Sequence, residues 1–434
     1  MNAIKIAIAA AAIAIPALAF AQPVMTPEAA LAQAARYTVK VSAFSSIGVN
    51  QDDGASGTGA GFLIDSQRGW ILTNAHVATR SPVVLRVSFK QQAEVDAKRV
   101  HVDPLIDMAI IQIDPKTIPE TALEGQLDCS GIPAIGTPVA AFGHPWGLNY
   151  TATRGIVSGA PWLFPHEHVQ TDAALNHGNS GGPLINLNDG KVVGLSASTY
   201  NPETDTEKTS TTVSLAEPIP AICRIVELLK AHQDARLKML PVALAAGVDD
   251  HRPRVARSID PAALFLPGDL IVGVNGVDGV RNASDLATRL RGDATTATIT
   301  VIRAGKRVNV AAALRAQADP LEAKYLNISG LLVGRQWRLD DFEDNPAAGG
   351  LIVDFSTPGT LSQDTEANGF RNRIVSVDGK TYSDVETLRA DLAKKPADAQ
   401  IEFITTEYSF SAAFLRRYRY FTLPRGELNI VTMQ

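Results

Sequence analysis

Ser180 stands in Gln170-Thr-Asp-Ala-Ala-Leu-Asn-His-Gly-Asn-Ser-Gly-Gly-Pro-Leu184, with Gly178 two residues before it and Gly181 and Gly182 directly after. Small neighbours let the backbone turn sharply enough to aim the N–H groups of Gly178, Asn179 and Ser180 at one point beside the Ser180 hydroxyl. Donors fixed there would stabilise the oxyanion that forms when an amide carbonyl is attacked. Taken alone, the string is equally well a glycine-rich turn. A serine hydroxyl is a weak nucleophile, so the chain must also supply a base.

Trp70-Ile-Leu-Thr-Asn-Ala-His-Val77 reads as a buried apolar strand running into a polar turn that carries His76. The chain has 8 histidines, and His76 is singled out by the strand that would hold it rigid. A third group has to fix the imidazole tautomer and stabilise the imidazolium. Asp107 fits, because it interrupts the apolar run Leu105-Ile-Asp-Met-Ala-Ile-Ile111, where an unpaired carboxylate is costly. The alternative for Asp107 by itself is a strand-edge residue facing water.

The order His76, Asp107, Ser180 resembles the chymotrypsin-like serine proteases and, within them, the HtrA (Deg) family. The matching segments are Gly57-Thr-Gly-Ala-Gly-Phe62, Leu72-Thr-Asn-Ala-His-Val77, Asp107-Met-Ala-Ile110, Phe142-Gly-His-Pro-Trp-Gly147, Gly155-Ile-Val-Ser158 and Gln170 to Leu184. The resemblance implies a mainly β fold: a chymotrypsin-like double β-barrel, with the site at the cleft between barrels, followed by two PDZ-like α+β domains. It also implies that Ser180 attacks the carbonyl, His76 takes and returns the proton, and Asp107 orients His76. Trypsin-like enzymes that cut after Lys or Arg carry an aspartate six positions before the nucleophile, where this chain has Ala174. With Ser196, Ala197 and Ser198 as a further wall, the pocket is expected to be small and neutral and to favour aliphatic residues. Asp172 is then structural, not a selector of basic residues. Asn179 replaces the aspartate that binds a new N-terminus in trypsin-like zymogens, so loop ordering is the expected switch.

Composition agrees with this assignment. At 434 residues, 45% hydrophobic and 20% charged, the chain suits about two to three globular domains, and a net charge of -5 argues against a general nucleic-acid binder. Residues 1–21, with Lys5, the apolar Ile6–Ala19 and Ala19-Phe-Ala21, read as a secretory signal peptide; a retained anchor is the alternative. A periplasmic or secreted location is therefore expected. That location permits a disulfide between Cys129 and Cys223, the two cysteines, while two buried thiols remain the other possibility.

Several elements must position these residues. Thr26-Pro-Glu has the signals of a helix start, and Tyr37 to Ala43 alternates like a strand. From Gly57 to about Gly159 short apolar runs alternate with turn residues, as in an antiparallel barrel. His166 and His168, with Glu167, form no recognisable ligand pattern and read as surface; no metal or organic cofactor is expected. Thr199 to Thr212 is a long polar loop. The protease domain is placed at 22–233, ending with the helix Ala221 to Lys230.

Beyond it the chain nearly repeats. Asp269-Leu-Ile-Val-Gly-Val-Asn-Gly276 matches Asn372-Arg-Ile-Val-Ser-Val-Asp-Gly379, and Ser284-Asp-Leu matches Ser383-Asp-Val as helix starts. Both units, placed at 238–316 and 325–425 with a linker at Arg315 to Lys324, resemble PDZ domains, which capture peptide C-termini by strand addition. Gly330, Leu331, Leu332 and Val333 are the candidate carboxylate loop of the second unit. The first has Leu240-Pro-Val-Ala-Leu244 at that place, where Pro241 removes a donor. The expected function is ATP-independent endoproteolysis of unfolded or damaged protein by a homo-oligomer built on trimers, the assembly being what the resemblance implies. The alternatives are a proteolytically silent PDZ-containing chaperone or sensor and an esterase.

Overall fold

The computed structural model describes residues 25–45, 57–79, 81–163, 166–200, 213–246, 250–260, 262, 264–335, 350–357, 360, 372–407 and 417–433. The segment expected to be a signal peptide, 1–21, residues 46–56 and most of the expected loop 199–212 lie outside them.

Helix α1 (Pro27–Tyr37) starts where the sequence signals it: Thr26 Oγ1 accepts a hydrogen bond from Ala29 N at 3.2 Å, and Pro27 sits where no intrahelical donor is needed. Its Ala30, Ala34 and Tyr37 face inward. The chain then builds β1 (Thr38–Phe44), β2 (Gly57–Asp65), β3 (Trp70–Thr73), the short helix α2 (Ala75–Ala78), β4 (Val84–Phe89), β5 (Val95–Asp103) and β6 (Met108–Gln112). These strands close into a barrel in the order β1-β2-β3-β6-β5-β4. Phe62, Ile71, Leu72, Ile110 and Ile111 fill it, fully buried.

A second barrel uses β7 (Pro138–Gly143), β8 (Thr151–Gly159), β11 (Val169–Thr171), β12 (Pro183–Asn186), β13 (Val192–Tyr200) and β14 (Val213–Pro218). It closes in the order β11-β14-β13-β12-β7-β8. Between β8 and β11 a small hairpin is inserted, β9 (Trp162–Leu163) pairing antiparallel with β10 (His166–Glu167). Among the described residues each barrel strand has a neighbour on both sides, so the loops between strands carry the candidate residues. Helix α3 (Ile219–Lys230) follows, and its Cys223 is disulfide-bonded to Cys129 with Cα atoms 5.9 Å apart.

The first C-terminal unit contains β15 (Lys238–Met239), β16 (Val242–Ala246), β17 (Pro253–Ser258), β18 (Leu270–Val274), β19 (Val277–Asp278), α4 (Ala283–Leu290), β20 (Thr296–Arg303), β21 (Lys306–Ala313) and β22 (Arg315–Ala316). The second has β23 (Lys324–Ile328), β24 (Leu331–Arg335), β25 (Leu351–Ser356), β26 (Asn372–Val377), α5 (Val385–Leu392), β27 (Gln400–Glu407), β28 (Arg417–Pro424) and β29 (Leu428–Thr432). The repeat is structural: Asn275–Gly276 after β18 and Asp378–Gly379 after β26 both take positive φ, the left-handed turn the two motifs share.

The two helices are capped, as expected, by Asn282, which accepts from Asp285 N, and by Asp384, which accepts from Thr387 N. Two expectations need correction. The segment 315–324 is not free chain, because β22 pairs with β15 and Pro320–Glu322 form a 3-10 turn. The second unit also runs past 425, since β29 pairs along β23 from Lys324↔Thr432 to Ile328↔Leu428.

Both units touch the first barrel at β5. Arg291, at the end of α4, meets Asp103 at 2.5 Å with both side chains buried, and it also donates to the Ala235 carbonyl. The Arg99 guanidinium donates to the Met433 carbonyl.

Candidate active site

β3 delivers His76 rigidly, because all four of its residues are buried and α2 begins two residues later. Asp107 arrives on a turn just before β6, with φ at +43°. Its backbone carbonyl accepts from Ala75 N at 3.1 Å and from Asn74 Nδ2 at 2.8 Å. Its carboxylate reaches His76 twice, with Oδ2 2.6 Å from Nδ1 and Oδ1 accepting from the His76 backbone N at 3.0 Å. A carboxylate against Nδ1 favours the proton on that nitrogen, which turns Nε2 into the acceptor.

Ser180 meets this pair across β2. Its carbonyl accepts from Ala60 N at 2.7 Å. A methyl group on Gly59 would lie 2.7 Å from Val77 on one side and 3.0 Å from the Ser180 carbonyl on the other, and one on Gly181 would lie 2.1 Å from Ala60 O. Only glycine lets the His76 turn and the Ser180 turn close on the same strand. The Ser180 hydroxyl donates to the Ala197 carbonyl at 3.0 Å, so its proton is directed at β13. Rotation about χ1 moves the hydroxyl without moving the backbone.

The segment Gly143–Tyr150 shapes the loop before the serine. His144 N donates to the Gly178 carbonyl at 3.0 Å, and Trp146 N to the His177 carbonyl at 2.9 Å. Asn179 N donates to the Asn176 carbonyl at 2.9 Å, which commits that N–H to the turn. Among the described residues the N–H groups of Gly178 and Ser180 have no protein acceptor, so these two are the donors left for an oxyanion.

His144 itself was not singled out in the sequence. It is buried, its Nδ1 accepts from Tyr150 N at 3.2 Å, and its ring packs edge-on to Tyr150 at 4.7 Å. Burial pushes its imidazole down to about 4.

The pocket candidates separate. Ala174 is exposed, and its carbonyl accepts from Thr153 Oγ1 at 2.7 Å. Ala197 presents its carbonyl to Ser180. Ser196 is fully buried under the nucleophile loop, where its N–H and carbonyl pair with Gly182 and Gly181. Ser198 continues β13. The Asp172 carboxylate accepts from Ile156 N at 2.6 Å and so ties β8 to the loop before the serine.

A family model described as a trypsin-like peptidase domain matches residues 59–195. A probable DegP-like periplasmic serine endoprotease of Pseudomonas fluorescens is 33% identical over 300 residues, 63% of this chain and 59% of that protein. Periplasmic serine endoprotease DegP of Escherichia coli is 39% identical over 151 residues, 33% of this chain and 31% of its own length. Over these stretches the chain is similar to DegP-like serine endoproteases. It spans less than two thirds of the length of the first curated relatives it matches. The fold agrees with that of the solved HtrA-type protease AlgW with a tripeptide, at a TM-score of 0.54 and 23% identity over 68% of this chain and 98% of the other. The DegP-like relatives are named as periplasmic proteins.

Two sequence expectations change. Leu331, Leu332 and Val333 do not form an open carboxylate loop: they lie in β24, paired with β23 on one side and β25 on the other. Gly330, at φ +92°, makes the tight β23–β24 turn, and its N–H donates to Asn327 Oδ1. A strand paired on both edges has no donors for an added peptide. His166 and His168 are not surface residues either. His166 is 5% exposed, and both rings face Glu217 of β14, not Glu167. Burial raises the Glu217 carboxyl against the opposing His166, the Asp107 charge raises it further and His76 lowers it, so this carboxyl lies within the field of Asp107 and His76. The signal that could have found the cluster is the His-x-His spacing at the start of a strand, which puts both rings on one face.

Proposed function

We propose that this chain is an exported serine endopeptidase that hydrolyses unfolded or damaged protein without ATP, through an acyl-enzyme on Ser180. The observation that carries the reading is the double contact of Asp107 with His76, set across β2 from Ser180. In this mechanism Nε2 of His76 takes the Ser180 proton as the oxygen attacks the carbonyl. The oxyanion is held by Gly178 and Ser180 N–H, and His76 returns the proton to the leaving amine. Water then repeats the cycle on the ester.

The small uncharged side chains of Ala174 and Ala197 support cleavage after Val, Leu, Ile or Ala. Assembly in trimers, as the family resemblance implies, belongs to the same reading, and light scattering on the purified protein tests it.

The Ser180–Ala197 hydrogen bond favours a resting state in which the nucleophile is parked until substrate draws it round to His76. The same bond is what a proteolytically silent chaperone would show, so the two readings need an assay. Casein cleavage and fluorophosphonate labelling that both vanish in Ser180→Ala support the peptidase. A wild type that neither cleaves unfolded protein nor takes the label defeats it.

A further inference from the structure

His166 and His168 are two apart in an extended segment, so their side chains share a face. The rings stack with centroids 4.3 Å apart. On the neighbouring strand Val169 pairs with Ala216, which brings Glu217 beside His168 on that same face. His166 Nε2 lies 2.5 Å from Glu217 Oε2, and His168 Nε2 3.5 Å from Glu217 Oε1. One ligating atom from each of the three residues fits within 4.8 Å of the others.

The cluster is interior and under-satisfied. Glu217 is 4% exposed, and among the described residues no lysine or arginine pairs with it. Nδ1 of His166 and Nδ1 of His168 are both buried without a hydrogen-bond partner. Those Nδ1 atoms call for a water, and a ring that keeps its proton on Nδ1 offers the Nε2 lone pair as a ligand on the Glu217 side.

We infer that His166, His168 and Glu217 form a binding site for a divalent metal ion of the zinc type, which clamps the β9–β10 hairpin onto β14. Two imidazoles and one carboxylate are a donor set suited to a borderline-soft ion, with a fourth position left for water. Ligand bonds of about 2.0–2.2 Å place tetrahedral donor atoms about 3.3–3.6 Å apart. The His168–Glu217 pair already has that spacing, and a small carboxylate rotation opens the His166–Glu217 pair to it. The ion would also neutralise a carboxylate that is otherwise buried against imidazoles alone.

The clamp reaches beyond the barrel. Trp162 on the same hairpin stacks on His251 of the first C-terminal unit, with ring centroids 5.1 Å apart and planes at 16°. Fixing the hairpin therefore fixes one contact between the protease barrel and that unit.

The test is calorimetric titration of the purified, tag-free protein with Zn2+ after chelator treatment and dialysis. The expected result is one strong site per chain, weakened at least tenfold by Glu217→Gln and by His168→Asn, each with a wild-type far-ultraviolet circular dichroism spectrum. Co2+ in the same site should give visible absorption that Glu217→Gln lacks. A wild type with no stoichiometric site, or variants that bind as tightly as wild type, overturns the inference. Should Glu217→Gln fail to fold, the His168→Asn titration decides. The readout is metal uptake, so failure here leaves the proteolytic reading standing.

Discussion

Asp107 holds His76 by both its ring and its backbone, so removing the charge and removing the side chain have different consequences. Asp107→Asn keeps an acceptor for the backbone N–H but presents the wrong group to Nδ1. We expect kcat on a peptide substrate to fall by about 10^4 with KM little changed, measured by steady-state kinetics. His144 has the opposite task, to stay neutral. The unfolded chain takes up its proton near the ordinary histidine value of about 6.5, whereas burial delays this to about 4 in the folded protein. The stability this supplies is full above 6.5 and is lost as pH falls toward 4, on the order of 3 kcal/mol at most. Thermal melts from pH 7 to pH 4 should therefore show the advantage of wild type over His144→Asn shrinking with acid, and an advantage independent of pH refutes the assignment.

At the scale of elements, the loop before Ser180 is fixed by backbone contacts that leave no room for side chains. A methyl group on Gly178 would lie 2.2 Å from His144 O at φ +106°. Gly178→Ala should push the loop off the 144–146 segment and cut kcat by roughly 10^2 to 10^3, the scale of losing one oxyanion donor. Fluorophosphonate labelling that slows in parallel checks it.

The same elements show what was readable in the chain. His76, Asp107 and Ser180 each interrupt a local pattern, an apolar strand or a glycine string, so each was visible without the fold. The Glu217 partnership was not, because it joins residues 51 apart through strand pairing. Pairing also decided against the Gly330–Val333 loop and carried the second unit past 425, since sequence shows that a segment is a strand and not which edges it shares.

Across the whole molecule, Asp103 and Arg291 join the first barrel to the first C-terminal unit. Burial alone would raise the Asp103 carboxyl, but Arg291, with His101 and the Leu105 N–H, holds it below the usual range. Asp103→Asn leaves the guanidinium buried without its counter-charge, a loss of about 3–5 kcal/mol. Limited trypsin digestion should then cut between barrel and unit sooner than in wild type, whereas replacing both residues with apolar ones should restore much of the resistance.

The Cys129–Cys223 bond closes a segment of 94 residues and pins α3 to the connection between the barrels. By chain entropy a loop of that length is worth roughly 4–5 kcal/mol. Thiols oxidise outside the cytosol and stay reduced within it. On the export route proposed above, a copy still in the cytosol lacks this reinforcement and gains it only on arrival, and a dithiothreitol-treated sample should unfold at lower urea than an untreated one.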